Sequence, residues 1–179
     1  ADFILTRVIA RLAVPFFMMV SGYFILPRYL FGQAQDKAPL YRFWQKTALL
    51  YALATLIYLP VSIYAGYFSE LNALTILQTI FFTGDFYHLW YLPAVIIGMG
   101  LVYLLSRRFS WQVVAIISCL LYLLGLLGDS YFGLLANTPL ADAYQTALEL
   151  FGYTRNGLFY APVFLVLGAW LRQTPRHPS

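Results

Sequence analysis

Five stretches of this 179-residue chain are apolar for long enough to be read as membrane-crossing helices, and the polar residues fall mainly between them. A spanning helix needs about 20 mostly apolar residues. The candidates are 8–26, 43–66, 89–105, 111–128 and 157–171, with Trp44, Trp90, Trp111 and Trp170 near their ends, where indoles settle at headgroup level. Two shorter patterns interrupt the series. In 69–84, Ser69 can cap a helix, Leu71, Leu74 and Leu77 share a face, and Gly84 can end it. In 138–151, Thr138-Pro139 suits a helix start, and Leu140, Tyr144, Ala147, Leu148 and Phe151 form a stripe opposite Asp142, Gln145 and Glu149. Both are expected to lie on the outer surface, apolar side down. The expected fold is all-α: a polytopic transmembrane helix bundle of about five spans with two short interfacial helices on the outer side.

Composition agrees with this pattern. The chain is 61% hydrophobic and 10% charged, against roughly 25% charged residues in a soluble domain. Its fifteen Tyr, fifteen Phe and four Trp suit helix ends that meet headgroups. The net charge of +4 does not point to nucleic acid, because the basic residues sit in short clusters between apolar runs. Their distribution sets an orientation instead. Arg28, Lys37, Arg42 and Lys46 follow the first stretch, Arg107 and Arg108 the third, and Arg172 and Arg176 the fifth. The intervening segments carry Glu70, Asp85, Asp129, Asp142 and Glu149 with the single Arg155. The positive-inside rule then places 27–43, 106–110 and the C-terminus in the cytoplasm, and the N-terminus of this stretch outside. The lone Cys119 sits in an apolar run and says nothing of redox compartment.

Arg7 and Arg11 break that rule, and they are the first candidates for chemistry. A guanidinium keeps its charge, and within a bilayer it must face protein or water. On a helix, Arg7, Arg11, Val14, Met18 and Ser21 form one stripe, about 21 Å long at 1.5 Å per residue. Pro15 cannot donate to the Arg11 carbonyl, and Ser21-Gly22 offers a hydroxyl and a close approach. These features suggest a polar path; the alternative is that both arginines snorkel to the outer interface. A second cluster, Gly84 to Pro93, holds His88, which can exchange protons near neutral pH with Asp85 to orient it. A structural, hydrogen-bonded histidine is the plainer alternative. Third, Arg42 and Lys46, spaced i,i+4, present two charges on one face and could hold donor phosphates or contact anionic lipid. No metal-ligand spacing is present.

The strings RVIARLAVPFFMMVSGYFIL and HLWYLPAVIIGMG, with the Arg42/Lys46 pair between them, resemble the integral-membrane acyltransferase 3 family. The resemblance covers most of the chain and is weakest after about residue 129. It implies that 1–179 is a partial acyltransferase 3-like transmembrane domain of the bacterial plasma membrane. Such proteins move an acyl group, often acetyl, from cytosolic acyl-CoA to a hydroxyl on an extracytoplasmic acceptor such as a cell-surface polysaccharide. Acyl-CoA would be a substrate, with no cofactor held tightly, and membrane lipids would surround the bundle. By resemblance, Arg7 and Arg11 line the central path, Ser21 and Gly22 its inner end, Arg42 and Lys46 the donor side, and His88 and Trp90 the acceptor side, beside Asp85. The family also carries an earlier helix with an arginine and a catalytic histidine, so the chain is expected to be a piece lacking that helix. The same fold resembles the membrane half of vancomycin-resistance serine racemases, which implies amino-acid uptake. An inactive structural remnant is a third expectation.

Overall fold

The structure, a computed structural model, describes residues 10–32, 36–64, 89–129, 141 and 154–173. The described secondary structure is helical: α1 (Ala10–Ile25), the one-turn α2 (Pro27–Leu30), α3 (Ala38–Tyr64), α4 (Tyr91–Ser106), α5 (Trp111–Asp129) and α6 (Ala161–Gln173). These correspond to the five apolar stretches, with α2 as an addition. The segments 69–84 and 138–151, read as interfacial helices, lie outside the described residues apart from Ala141. Among the described residues no helix is long and apolar enough to cross a membrane. The five expected spans therefore stand here as five helices.

Local chemistry explains the boundaries. Pro27 stops α1 because it has no N–H to donate, yet it suits the first position of α2. The Leu26 carbonyl accepts from Tyr29 N and Leu30 N at 2.9 and 3.0 Å, which closes that turn. Asp36 Oδ1 accepts the Ala38 N–H at 2.9 Å and so starts α3, where Pro39 falls in the tolerant first turn. In α4, Pro93 likewise occupies the first turn. Only 107–110 separates α4 from α5, so the two return antiparallel.

The organising element is α6, which packs on α1, α2, α4 and α5; its contact with α1 is the most extensive in the fold. Glycines permit these approaches. A Cβ on Gly22 would run into the Leu165 backbone, with the carbonyl carbon 2.7 Å away, and one on Gly168 would run into the Met19 backbone, again with a carbon at 2.7 Å. Arg172, near the C-terminal end of α6, reaches carbonyls near the C-terminal end of α1, so the two helices run parallel. Small residues let helix backbones meet in this way. A Cβ on Gly98 would lie 2.6 Å from Ala161 Cβ, and one on Gly157 would lie 2.7 Å from the Ala94 carbonyl, so α4 also runs parallel to α6. Against α5 the order reverses: Gly125 meets Phe159, and Tyr122 meets both Tyr160 and Phe164. Met18, Leu26, Val95, Met99, Val102, Val114 and Leu165 fill the space between these helices. By contrast α3 packs chiefly on α4.

An arginine clasps the α1–α6 pair at one end. The absent N–H of Pro27 leaves the Tyr23 carbonyl without its helical donor. Arg172, in the last turn of α6, donates to the Tyr23 and Phe24 carbonyls at 3.3 and 3.4 Å and stands 5.5 Å from the Tyr23 ring centroid. A cation at a helix C-terminus also meets the negative end of the macrodipole. Because the contact is exposed, Arg172→Ala is expected to cost only about 0.5–1 kcal/mol. Thermal unfolding of the full-length protein in detergent checks this, and a drop of many degrees would show a larger role.

Candidate functional site

The helix directions divide the described polar side chains between two ends. At one end are Arg28, Lys37, Arg42, Lys46, Arg107, Arg108 and Arg172, with Asp36 as the one carboxylate there among the described residues. This segregation reproduces the alternation of basic segments along the sequence. Arg42 and Lys46 share an exposed face of α3, as their spacing requires. Beside them a cavity of about 270 Å³ opens between α3 and α4, lined by Lys37, Tyr41, Trp44, Gly100 and Tyr103. Tyr29, packed edge-on against Tyr103 at 5.2 Å, donates to the Asp36 carbonyl at 2.9 Å. Burial raises the Tyr29 pKa, which keeps the phenol a donor.

The opposite end is aromatic. Trp90 is half-buried and packs edge-on against Tyr160 at 5.8 Å, and Tyr160 meets Phe164 at 4.9 Å. The approach to α6 is held by two buried polar residues, Thr154 and Asn156. Asn156 Oδ1 accepts from Leu158 N and Phe159 N at 2.9 and 3.1 Å, while its carbonyl accepts from Tyr160 N and Ala161 N. A cavity of about 20 Å³, room for one water, lies against Tyr122, Thr154, Arg155 and Tyr160. Sequence reasoning passed over Thr154 and Asn156. The available signal was an Asn-Gly pair just before an apolar run, a pattern that suits a cap.

The expected site residues are thus spread widely. Arg7, Asp85 and His88 lie outside the described residues, as does the Arg11 side chain, although the Arg11 backbone belongs to α1. Ser21 is half-buried and donates to the Phe17 carbonyl at 2.9 Å. Gly22 is occupied by the α6 crossing, so its observed contact is with Leu165. Trp90 and the Arg42/Lys46 pair stand at opposite ends of α4, whose 16 residues rise about 24 Å. That separation suits two substrates, or one passenger, approaching from two sides.

Comparison with known proteins adds to this geometry. An amino-acid racemase of Enterococcus faecalis is 42% identical over 176 residues, which cover 97% of this chain and 24% of the relative. A serine/alanine racemase of Enterococcus gallinarum is 38% identical over 174 residues, 96% of this chain and 25% of the relative. Another amino-acid racemase of Enterococcus faecalis is 39% identical over 170 residues, 93% of this chain and 24% of the relative. The chain thus spans about a quarter of the length of these curated relatives. No solved structure matches it. The family model described as an acyltransferase domain matches residues 1–179, and with the motifs around Arg11 and Trp90 this shows that the chain belongs to the acyltransferase 3 family.

Proposed function

We propose that this chain is part of the membrane domain of a larger protein of the amino-acid racemase type, and that the domain binds a small amino acid such as serine or alanine and passes it across the plasma membrane. The observation that carries the proposal is the identity of 38–42% with racemase-named relatives over nearly the whole chain. Membrane residence is supported by the outward faces. Leu56, Ile57 and Ile63 on α3 are 63, 73 and 61% exposed, and Leu104, Ile116 and Leu123 on α4 and α5 are 64, 59 and 56% exposed. Outward apolar side chains in such number need an apolar surrounding. The basic end then faces the cytoplasm. A carboxylate passing through the bundle needs a cation, and Arg11 or Arg7 supplies a planar fork that can hold it through two parallel hydrogen bonds.

A second reading, O-acyl transfer from acyl-CoA to an extracytoplasmic hydroxyl, is favoured by the family and by the basic end, whose Arg42/Lys46 face suits an anionic donor. In that reaction a base takes the hydroxyl proton as the oxygen attacks the thioester carbonyl; the C–S bond then breaks, and coenzyme A leaves as its thiol with that proton. His88 is the base within this chain, and Arg7 or Arg11 steadies the developing negative charge. One pair of assays separates the two readings. In cells expressing the full-length protein, Arg11→Ala is expected to lower uptake of labelled serine by about tenfold or more, the worth of a lost charge-assisted pair, while membrane insertion stays normal. Normal serine uptake together with lost acetylation of surface polysaccharide would decide for acyl transfer.

A further inference from the structure

The cavity at the basic end has features that neither reading uses. Trp44 lines it, and the Trp44 Nε1–H is buried with no acceptor. Protein covers that nitrogen, so the cavity meets the carbon part of the indole. The ring is held on one side by Tyr41, edge-on at 5.7 Å, and on the other by the absence of a side chain at Gly100, where a Cβ would already stand 3.4 Å from Trp44 Cζ2. Lys37 is exposed at the rim, and its neighbour Asp36 is engaged with the Ala38 N–H. Arg42 and Lys46 follow on the same helix, and Arg107 and Arg108 close the end of α4. An anion is therefore favoured. The remaining wall is apolar, made by Leu40, Tyr103 and Leu104, and Leu104 is 64% exposed on the outward face of α4. A purely hydrated anion would leave that wall uncovered, whereas a ligand with a charged head and a hydrocarbon tail would cover both parts.

We propose that this cavity is a headgroup site for one anionic glycerophospholipid. Lys37 meets the phosphate, the glycerol and ester region lies against the Trp44 ring, and an acyl chain lies along Leu104. The proposal rests on the membrane reading above, and it adds a stationary lipid to it. Such a lipid would fill the gap between α3 and the rest of the bundle, since α3 has α4 as its one substantial contact.

The test uses full-length protein in phosphatidylcholine vesicles that contain a minor fraction of brominated lipid, which quenches tryptophans it touches. The Trp44 share of the signal is the difference from Trp44→Phe. Brominated phosphatidylglycerol is expected to quench Trp44 more strongly than brominated phosphatidylcholine. Lys37→Ala should weaken that preference about fivefold, the worth of one lysine beside an anionic surface, and Lys37→Arg should retain it. Equal quenching by the two lipids, an unchanged preference in Lys37→Ala, or displacement by inorganic phosphate would overturn the proposal. Protein that fails to enter the vesicles would overturn the membrane reading as well, whereas insertion without headgroup preference would remove the lipid site alone.

Discussion

Gly168→Leu is expected to prevent the full-length protein from reaching its native packing, and Gly168→Ala to lower its stability by about 1–3 kcal/mol. The reason is geometric. A single added carbon at this position runs into the Met19 backbone, and backbone cannot yield as a flexible side chain can. Relief requires α1 and α6 to separate, which opens the most extensive contact in the fold. Gly22→Ala should act alike, because its added carbon meets the Leu165 backbone from the other side. Gly100→Ala is the control. Its nearest neighbour would be Trp44 Cζ2 at 3.4 Å, and the gain in helix propensity of about 0.5–1 kcal/mol offsets the tighter contact. Thermal unfolding in detergent distinguishes them, and a Gly168→Ala protein that melts with the wild type would refute the close crossing.

The second large effect is expected at Asn156, whose side chain is fully buried. Asn156→Ala leaves Leu158 N and Phe159 N without the acceptor that holds the turn leading into α6. Loss of a cap with buried donors left behind costs about 2 kcal/mol. Asn156→Ser keeps a cap oxygen and is expected to recover most of that loss. The damage should extend beyond stability, because Tyr160 N bonds to the Asn156 carbonyl and the Tyr160 ring packs on Trp90. Near-ultraviolet circular dichroism should therefore lose aromatic signal in Asn156→Ala, whereas unchanged spectra would confine the residue to a local cap.

The sequence made the helices and their directions readable, and left their depth of contact hidden. The apolar runs 89–105 and 111–128 mark α4 and α5 closely, because each ends at a sharp change of polarity near Ser106 and Ser110. The start of α3 lies five residues before the apolar run at 43, since Arg42 and Lys46 point outward from a helix that their charge does not interrupt. The spacing of the basic segments foretold that Arg28, Arg107 and Arg172 share one end of the described helices. Gly22 was legible as a small residue permitting close approach, but sequence gave no means of naming Leu165 as its neighbour 143 positions away. Arg172 read as a charge that sets orientation; its contact with carbonyls freed by Pro27 is visible only once α1 and α6 lie side by side. Trp44 read as an interfacial anchor, and its unpaired indole emerges from packing against Gly100.

The parallel crossing of α1 and α6 has a consequence for biogenesis. These are the first and last helices described, and each presents to the other a glycine groove that no nearer segment fills. While a ribosome is still making the intervening residues, the groove on α1 has no occupant. Closing so distant a pair is slow, because the intervening chain must first be confined. The nascent chain thus passes through a stage in which α1 is present without its mate, the interval when an insertase or chaperone has most to protect.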